Sequence, residues 1–316
     1  MPAPRRALPI TACLLAACGS SDDPERAGGR LRALARCAPA QLSETLRDRA
    51  AATLVLAIDC GGEDLPGAIA AAGRDQAPFL VEVGAYAAGA PLPDALIDDG
   101  LGAAVAVDLA LLACEGLPAA VTSYAIGARA YTDANRAAGG EPVLAPADAI
   151  LAMLRRQHAA LLTDTPKEGH AKHKVAFVLG PDPAPWQVQA CAAAKAAAAR
   201  YPQLEVFEAT RASAAAKEGA HAMLLATIDP RVSEAAAASA PDVAMIVLDP
   251  LLGAHAACRV GCTASTIARA VEGRVRALLP EGGGFIVCRR EGGHPATAPR
   301  LAAIAQALGV DPASVR

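Results

Sequence analysis

The chain has 316 residues, 53% of them hydrophobic and 19% charged, with a formal net charge of −3. That apolar share excludes global disorder, and the slight acidic excess argues against a nucleic-acid groove. Aromatics make up only 3%, so the single tryptophan, Trp186, stands out as a stacking surface.

The N-terminus reads as a targeting segment. Arg5 and Arg6 supply a positive region, Leu8 to Ala17 a short apolar core, and Leu15 to Cys18 a lipoprotein cleavage box. The apolar core is too short to span a bilayer. The expectation is a signal peptide over 1–18, lipidation of Cys18 and a polar tether over 19–29. Such a protein is exported and anchored at the periplasmic side or the cell surface. The other account is an ordinary cytoplasmic start with a chance cysteine.

From Arg30 a βαβαβ pattern is predicted: strand Arg30 to Arg36, helix Pro39 to Ala51, strand Thr53 to Ile58, helix Leu65 to Gly73, strand Pro78 to Gly84. A short helical turn over Asp94 to Gly100 is expected next, then a strand Ala103 to Asp108, a helix Leu109 to Glu115 and an extended run near Ala120 to Ile126. Residues 131–172 change character and read as a linker with one helix, Asp148 to Leu162. Its His170 and His173 could suggest a metal pair, but without a third ligand nearby they read as solvated.

Between Lys174 and Pro250, apolar runs alternate with helices, as in a buried parallel sheet with right-handed crossovers. The runs are Lys174 to Gly180, Leu204 to Ala209, Ala222 to Thr227 and Val243 to Leu248, with helices from Gln187 to Arg200 and Val232 to Ser239. Strand Ala257 to Cys262, helix Ser265 to Leu279 with exposed Arg269, Arg274 and Arg276, strand Phe285 to Cys288 and helix Ala298 to Leu308 complete the chain. The expected class is α/β, with two Rossmann-like lobes built on parallel sheets. Of nine cysteines, seven lie beyond the signal and none forms a Cys-x-x-Cys pair, so small buried thiols are expected. Cys37 and Cys60 both end predicted strands and could pair in an oxidising compartment.

The run Val175 to Val178, Pro185-Trp186 opening a helix, Tyr201 to Val206, His221 to Leu225 and Val243 to Asp249 resemble the first lobe of a type I periplasmic sugar-binding protein, the ribose- and galactose-binding class. Val260-Gly261, the helix through Arg274, Leu278 to Val287 and Arg300 to Leu308 resemble that family's first crossing into its second lobe. The rest of that lobe is matched at the front, by Thr53 to Asp59, Gly67 to Gly73, Leu80 to Gly84, Ala95 to Gly100 and Ala103 to Asp108. Pro118 to Asn135 looks like the family's C-terminal tail. The resemblance implies a circularly permuted binding protein. Residues 30–130 would be mainly second lobe, 173–262 the first lobe, and 263–316 the crossing helix and the start of the second lobe. Two truncated copies of a tandem protein would be the other account. Strand Arg30 to Arg36 lying beside Phe285 to Cys288 would favour permutation.

The resemblance also implies a site. Trp186 takes the place of the ring that stacks on a sugar, and Asp249 that of the strand-end carboxylate. Asp59 falls at the polar end of a second-lobe strand, Asp108 at the last crossing, and Arg300 near the arginine of the first second-lobe helix. Gln187 replaces a second aromatic and is carried as a ligand-binding position. Other accounts are a core role for Trp186, turn capping for Asp59 and Asp249, and a solvated helical position for Arg300. The implied partners are a sugar-like small molecule, an ABC permease or membrane sensor, and the membrane through the lipid anchor. No cofactor, metal or nucleic acid is implied. A second hypothesis is a sensor that kept the fold but lost the site, since Ala184, Gln187 and Pro250 depart from the family pattern. Enzyme motifs are missing: no Gly-x-Gly-x-x-Gly follows any predicted strand.

Overall fold

In predicted strands such as Thr53 to Ile58, Ala222 to Thr227 and Val243 to Leu248, every second side chain faces the same way, and both sets are largely apolar. A strand of that kind needs cover on two faces. The computed structural model shows this cover; it describes residues 29–60, 63–84, 93–98, 101–117, 123–145, 147–163, 172–255, 257–290 and 294–315. In chain order the elements are β1 (Leu31–Cys37), α1 (Leu42–Asp48), β2 (Ala52–Ile58), α2 (Leu65–Ala71), β3 (Phe79–Val83), β4 (Ala95–Asp98), α3 (Leu101–Cys114), β5 (Ser123–Ile126), β6 (Ala128–Tyr131), β7 (Glu141–Val143) and α4 (Ala147–Gln157). There follow β8 (His173–Val178), α5 (Pro185–Ala198), β9 (Leu204–Ala209), α6 (Ala212–Lys217), β10 (Ala222–Ala226), α7 (Pro230–Ser239), β11 (Ala244–Leu248), β12 (Cys258–Cys262), α8 (Ala264–Leu278), β13 (Gly283–Arg289) and α9 (Thr297–Leu308).

Among the described residues the strands form two sheets. One has the order β1-β13-β2-β3-β4-β6-β7, the other β5-β12-β11-β10-β8-β9. The second is parallel throughout; the first is mixed, because β6 runs antiparallel to β4 and β7 to β6. The fold is therefore α/β, and two helix-covered sheets are compatible with two Rossmann-like lobes. In the six-stranded sheet Val175 and Phe177 pack on the side of α3 and α5, while Ala176 and Val178 pack with α6 and α7. In the seven-stranded sheet Leu56 and Ile58 face α8 and α9, and Val55 and Ala57 face α1 and α2. Val55, Leu56 and Ile58 are fully buried, each worth about 1.5–3 kcal/mol of transfer free energy.

The two sheets share a connectivity. Strands β8 to β12 lie in the order second-first-third-fourth-fifth. Counting β13 as first and β1 as second gives the same order for β13, β1, β2, β3 and β4. The expected neighbourhood is present: β1 pairs in parallel with β13, from Leu31 beside Gly283 to Cys37 beside Cys288. In each sheet the helix after the fifth strand leaves for the other. Thus α3 packs on β10, β11 and β12, and α8 on β3, β4 and β6. A third crossing is a single residue, Gly127, between β5 and β6. A Cβ there would meet the Val143 carbonyl oxygen at 2.5 Å and Asp148 Oδ2 at 2.7 Å, so only glycine allows the close approach.

Several expectations need correction. The helical turn expected over Asp94 to Gly100 is not found in its described part: Ala95–Asp98 form β4, because a buried slot between β3 and β6 demands an apolar strand, and residues 99–100 lie outside the described residues. The expected strand Ala103 to Asp108 and helix Leu109 to Glu115 are one helix, α3. Its side chains are apolar on nearly every side because it is buried all round, so it carries no helical periodicity. Residues 131–143 are not linker, since β6 and β7 extend the sheet edge. Arg274 and Arg276 are half-buried and paired with Glu141 and Glu272, not exposed. His173 is buried and its Nε2 lies 2.7 Å from Glu115, while His170 lies outside the described residues.

Candidate ligand-binding site

Asp59 follows the last residue of β2 with a left-handed backbone, φ 55°. A non-glycine residue there is uncommon and costs about 1–3 kcal/mol unless its surroundings hold it. Its carboxylate is what holds it. Oδ2 accepts from the Thr297 hydroxyl at 2.5 Å and Oδ1 from Arg300 Nη1 at 3.0 Å. Thr297 opens α9, so the carboxylate also sits at a helix N-terminus, where negative charge is favoured. Arg300 is only 2% exposed, which overturns its solvated reading. The Thr297 hydroxyl also reaches the His294 carbonyl at 2.6 Å, tying the loop after β13 to the same cluster.

Trp186 approaches from the other sheet. Pro185 and Trp186 begin α5, directly after the turn that leaves β8. The indole is half-buried against the core and meets the His294 imidazole edge-on, with ring centroids 5.2 Å apart and planes at 68°. The carboxyl ends of β8 and β13 therefore face one another, the end of an α/β sheet at which ligands bind. Trp186, His294, Asp59, Thr297 and Arg300 gather there a ring, an imidazole, a carboxylate, a hydroxyl and a guanidinium.

The remaining candidates lie elsewhere. Gln187 is a capping residue: its Oε1 accepts from the Ala184 N–H at 2.8 Å and its Nε2 donates to the Ala226 carbonyl at 2.6 Å. Both ends of the amide are engaged in fixing the start of α5 against β10, so its role is structural. Asp108 is not at a strand end but within α3. It accepts from Arg200 Nη2 at 2.5 Å, the Tyr201 hydroxyl at 2.7 Å and Arg155 Nε at 2.8 Å. Burial first, then the bond to Asp108, pushes the Tyr201 phenol well above its ordinary range. Asp108 is thus a tie between α3, α4 and the end of α5, with every carboxylate oxygen occupied.

Asp249 is 1% exposed. Its Oδ1 accepts from the Leu251 N–H at 3.0 Å, the turn-capping role of an aspartate. Its Oδ2 lies 3.0 Å from His255 Nε2, out of line for a hydrogen bond, so the contact is a charge pair when the imidazole is protonated. The other ring nitrogen lies 2.8 Å from the Ser233 hydroxyl, which also reaches the Pro230 carbonyl at 2.8 Å. Serine, histidine and aspartate thus stand in line, but with the carboxylate at Nε2 and the serine at Nδ1, the reverse of the hydrolytic order. Ser233 is 1% exposed, so this cluster pins the loop after β11 to α7.

Sequence reasoning missed His294, His255 and Ser233. A Gly-Gly-His-Pro loop before α9 is the only signal for His294; nothing local marks the other two. Cys18 lies outside the described residues. Among the described residues no group of three or more His, Cys, Asp or Glu is arranged to hold a metal ion. No protein-family profile, curated protein or solved structure matches the chain.

Proposed function

We propose that the chain is a solute-binding protein of type I periplasmic architecture, permuted in chain order, that takes a sugar or sugar-like molecule between its two sheets and presents it to an ABC permease. The observation that carries this is the juxtaposition of Trp186 from one sheet with Asp59, Thr297 and Arg300 beside His294 from the other. A sugar needs a ring for its C–H face and paired donors and acceptors for its hydroxyls, supplied from both sides of a closing cleft. The shared strand order of the two sheets and their three crossings support the architecture. Lipidation at Cys18 would hold the protein beside its permease.

Calorimetry against a panel of pentoses and hexoses tests the proposal. One sugar is expected to bind, and Trp186→Ala to weaken it by about 10-fold or more, from the loss of roughly 1.5 kcal/mol or more of ring contact. Binding that survives the substitution unchanged would remove the tryptophan from the site.

A second reading, a sensor that has lost transport, is favoured by a specific observation. Of the six positions carried over from the family, Gln187, Asp108 and Asp249 are engaged within the protein, and Asp59 and Arg300 are paired with each other, which among the described residues leaves Trp186 alone outside such bonds. A panel in which no sugar binds, with Asp59 and Arg300 still paired, would favour this second reading.

A further inference from the structure

Three sulfurs gather on the outer face of the seven-stranded sheet. Cys37 closes β1, Cys288 lies beside it in β13, and Cys60 follows Asp59 after β2. The Cys60 Sγ is 4.0 Å from the Cys288 Sγ, and it also lies 3.5 Å from the Cys288 carbonyl. Cys37 and Cys288 are direct cross-strand partners, with their side chains in the same small apolar cluster as Leu42, Leu46 and Leu65. In-register neighbours of a sheet lie about 4.8 Å apart, within the reach of a disulfide for Cys37 and Cys288, and the Cys60 and Cys288 sulfurs need only approach by roughly 2 Å. Exposure falls along the series, from 7% at Cys37 to 1% at Cys60 and 0% at Cys288.

We propose that Cys37, Cys288 and Cys60 form a thiol relay that stores one disulfide, with Cys288 as the shared member and a small disulfide such as oxidised glutathione as the oxidant. The outermost thiol reacts first. Cys37 thiolate attacks one glutathione sulfur, a Cys37–glutathione disulfide forms, and the second glutathione leaves as a thiol after taking up a proton. Cys288 then gives up its proton and attacks the Cys37 sulfur. A Cys37–Cys288 disulfide forms and the remaining glutathione leaves with that proton. Two protein thiols have lost two electrons and one oxidised glutathione has become two thiols. Finally the Cys60 sulfur attacks Cys288, Cys37 leaves, and the Cys60 proton ends on Cys37. Each step is an ordinary exchange at a disulfide sulfur and needs no further oxidant.

The proton positions favour this direction. Contact with the Cys288 sulfur holds the Cys37 thiol below its usual range against the opposing effect of burial, with Thr45 assisting. The neighbouring sulfurs, Cys37 first and Cys60 second, push Cys288 up and keep it protonated. At Cys114 and Cys258 burial is the largest effect and pushes the thiols up to about 12 and about 11. The completed Cys60–Cys288 bond would clamp the strand end carrying Asp59 to the strand that leads to His294.

The test treats the reduced, folded full chain with oxidised glutathione, traps thiols with acid and an alkylating agent, and maps peptides over time. Glutathione is expected first on Cys37, then a Cys37–Cys288 link, then Cys60–Cys288. Cys37→Ala should slow the last product by about 10-fold or more, since it removes the favoured attacking thiolate. Cys288→Ala should leave glutathione trapped on Cys37 with neither link formed. The wild-type time course stands by itself should Cys288→Ala fail to fold. The relay is overturned if the first adduct falls on Cys114 or Cys258, if the links appear only in urea, or if Cys37→Ala leaves the rate unchanged.

Discussion

The indole of Trp186 and the imidazole of His294 meet edge-on although one belongs to the six-stranded sheet and the other to the loop leaving the seven-stranded one. Trp186 is the chain's single tryptophan, so its emission reports this contact alone. His294→Ala is expected to shift the emission to the red by opening the indole to water. A bound sugar should change the same signal in the wild type. An emission spectrum unmoved by His294→Ala would mean that the rings do not meet in solution.

Asp59 and Arg300 are a buried pair, with side-chain exposures of 11% and 2%. Removing the carboxylate strips a buried guanidinium of this ion pair. Asp59→Ala is expected to cost about 3–5 kcal/mol in urea denaturation. Asp59→Asn with Arg300→Met should recover most of that, because the buried guanidinium is removed together with its carboxylate and asparagine tolerates the left-handed backbone. A double variant as unstable as Asp59→Ala would contradict this account.

Asp108 accepts from three side chains but should matter less to stability than Asp59. Its partners Arg155 and Arg200 have side chains 49% and 44% exposed, so both can turn to water when the carboxylate is lost. The expected cost of Asp108→Ala is about 1.5–3 kcal/mol, most of it from Tyr201, with ligand affinity unchanged. Loss of sugar binding with a preserved melting transition would return Asp108 to the site.

Glu82 stands on β3 between Val81 and Val83, and burial raises its carboxyl above the ordinary range. A raised folded pKa means that the native state holds the proton more tightly than the unfolded chain. Its favourable contribution is therefore full below the unfolded value near 4.5 and is lost as pH rises through the folded one. Glu82→Gln should raise Tm at pH 7 by about 1–3 °C and confer no advantage near pH 4. Calorimetric melts at the two pH values decide the matter.

Gly127→Ala should destabilise by about 1–3 kcal/mol, since the added methyl would press on the Val143 carbonyl and the Asp148 carboxylate at the same time. A thermal melt equal to the wild type would show that the single-residue crossing has more room than its geometry implies.

How much was legible in the sequence follows from burial. Strands β8, β10 and β11 sit between two helical layers, so their apolar runs are uninterrupted and bounded by Pro, Gly and Asp, and they read correctly. The same burial hid α3, where Val105, Ala106, Val107 and Ala110 are enclosed on all sides and no polar stripe marks the helical period. β4 has only four residues, too few to display alternation. In the site, the strand-end position of Asp59 was readable, but its pairing with Arg300 depends on which strand lies beside β2. Asp249 was correctly placed at a strand end, yet its engagement with His255 arises from a loop that folds back, and no local pattern encodes that. Gln187 three residues after Ala184 carried a capping signal that the family resemblance obscured.

The pairing of β1 with β13 has a consequence for synthesis. Among the described residues β1 is an edge strand with β13 as its one sheet neighbour, and β13 also separates it from β2. While a ribosome makes the chain from its N-terminus, β1 and β2 emerge early but have nothing to bridge them until residues 283–289 follow. The six-stranded sheet has all its strands by Cys262 and can form first. The seven-stranded sheet must wait, its strand edges open, which makes long-range pairing the slow step and the interval before it the time of greatest aggregation risk.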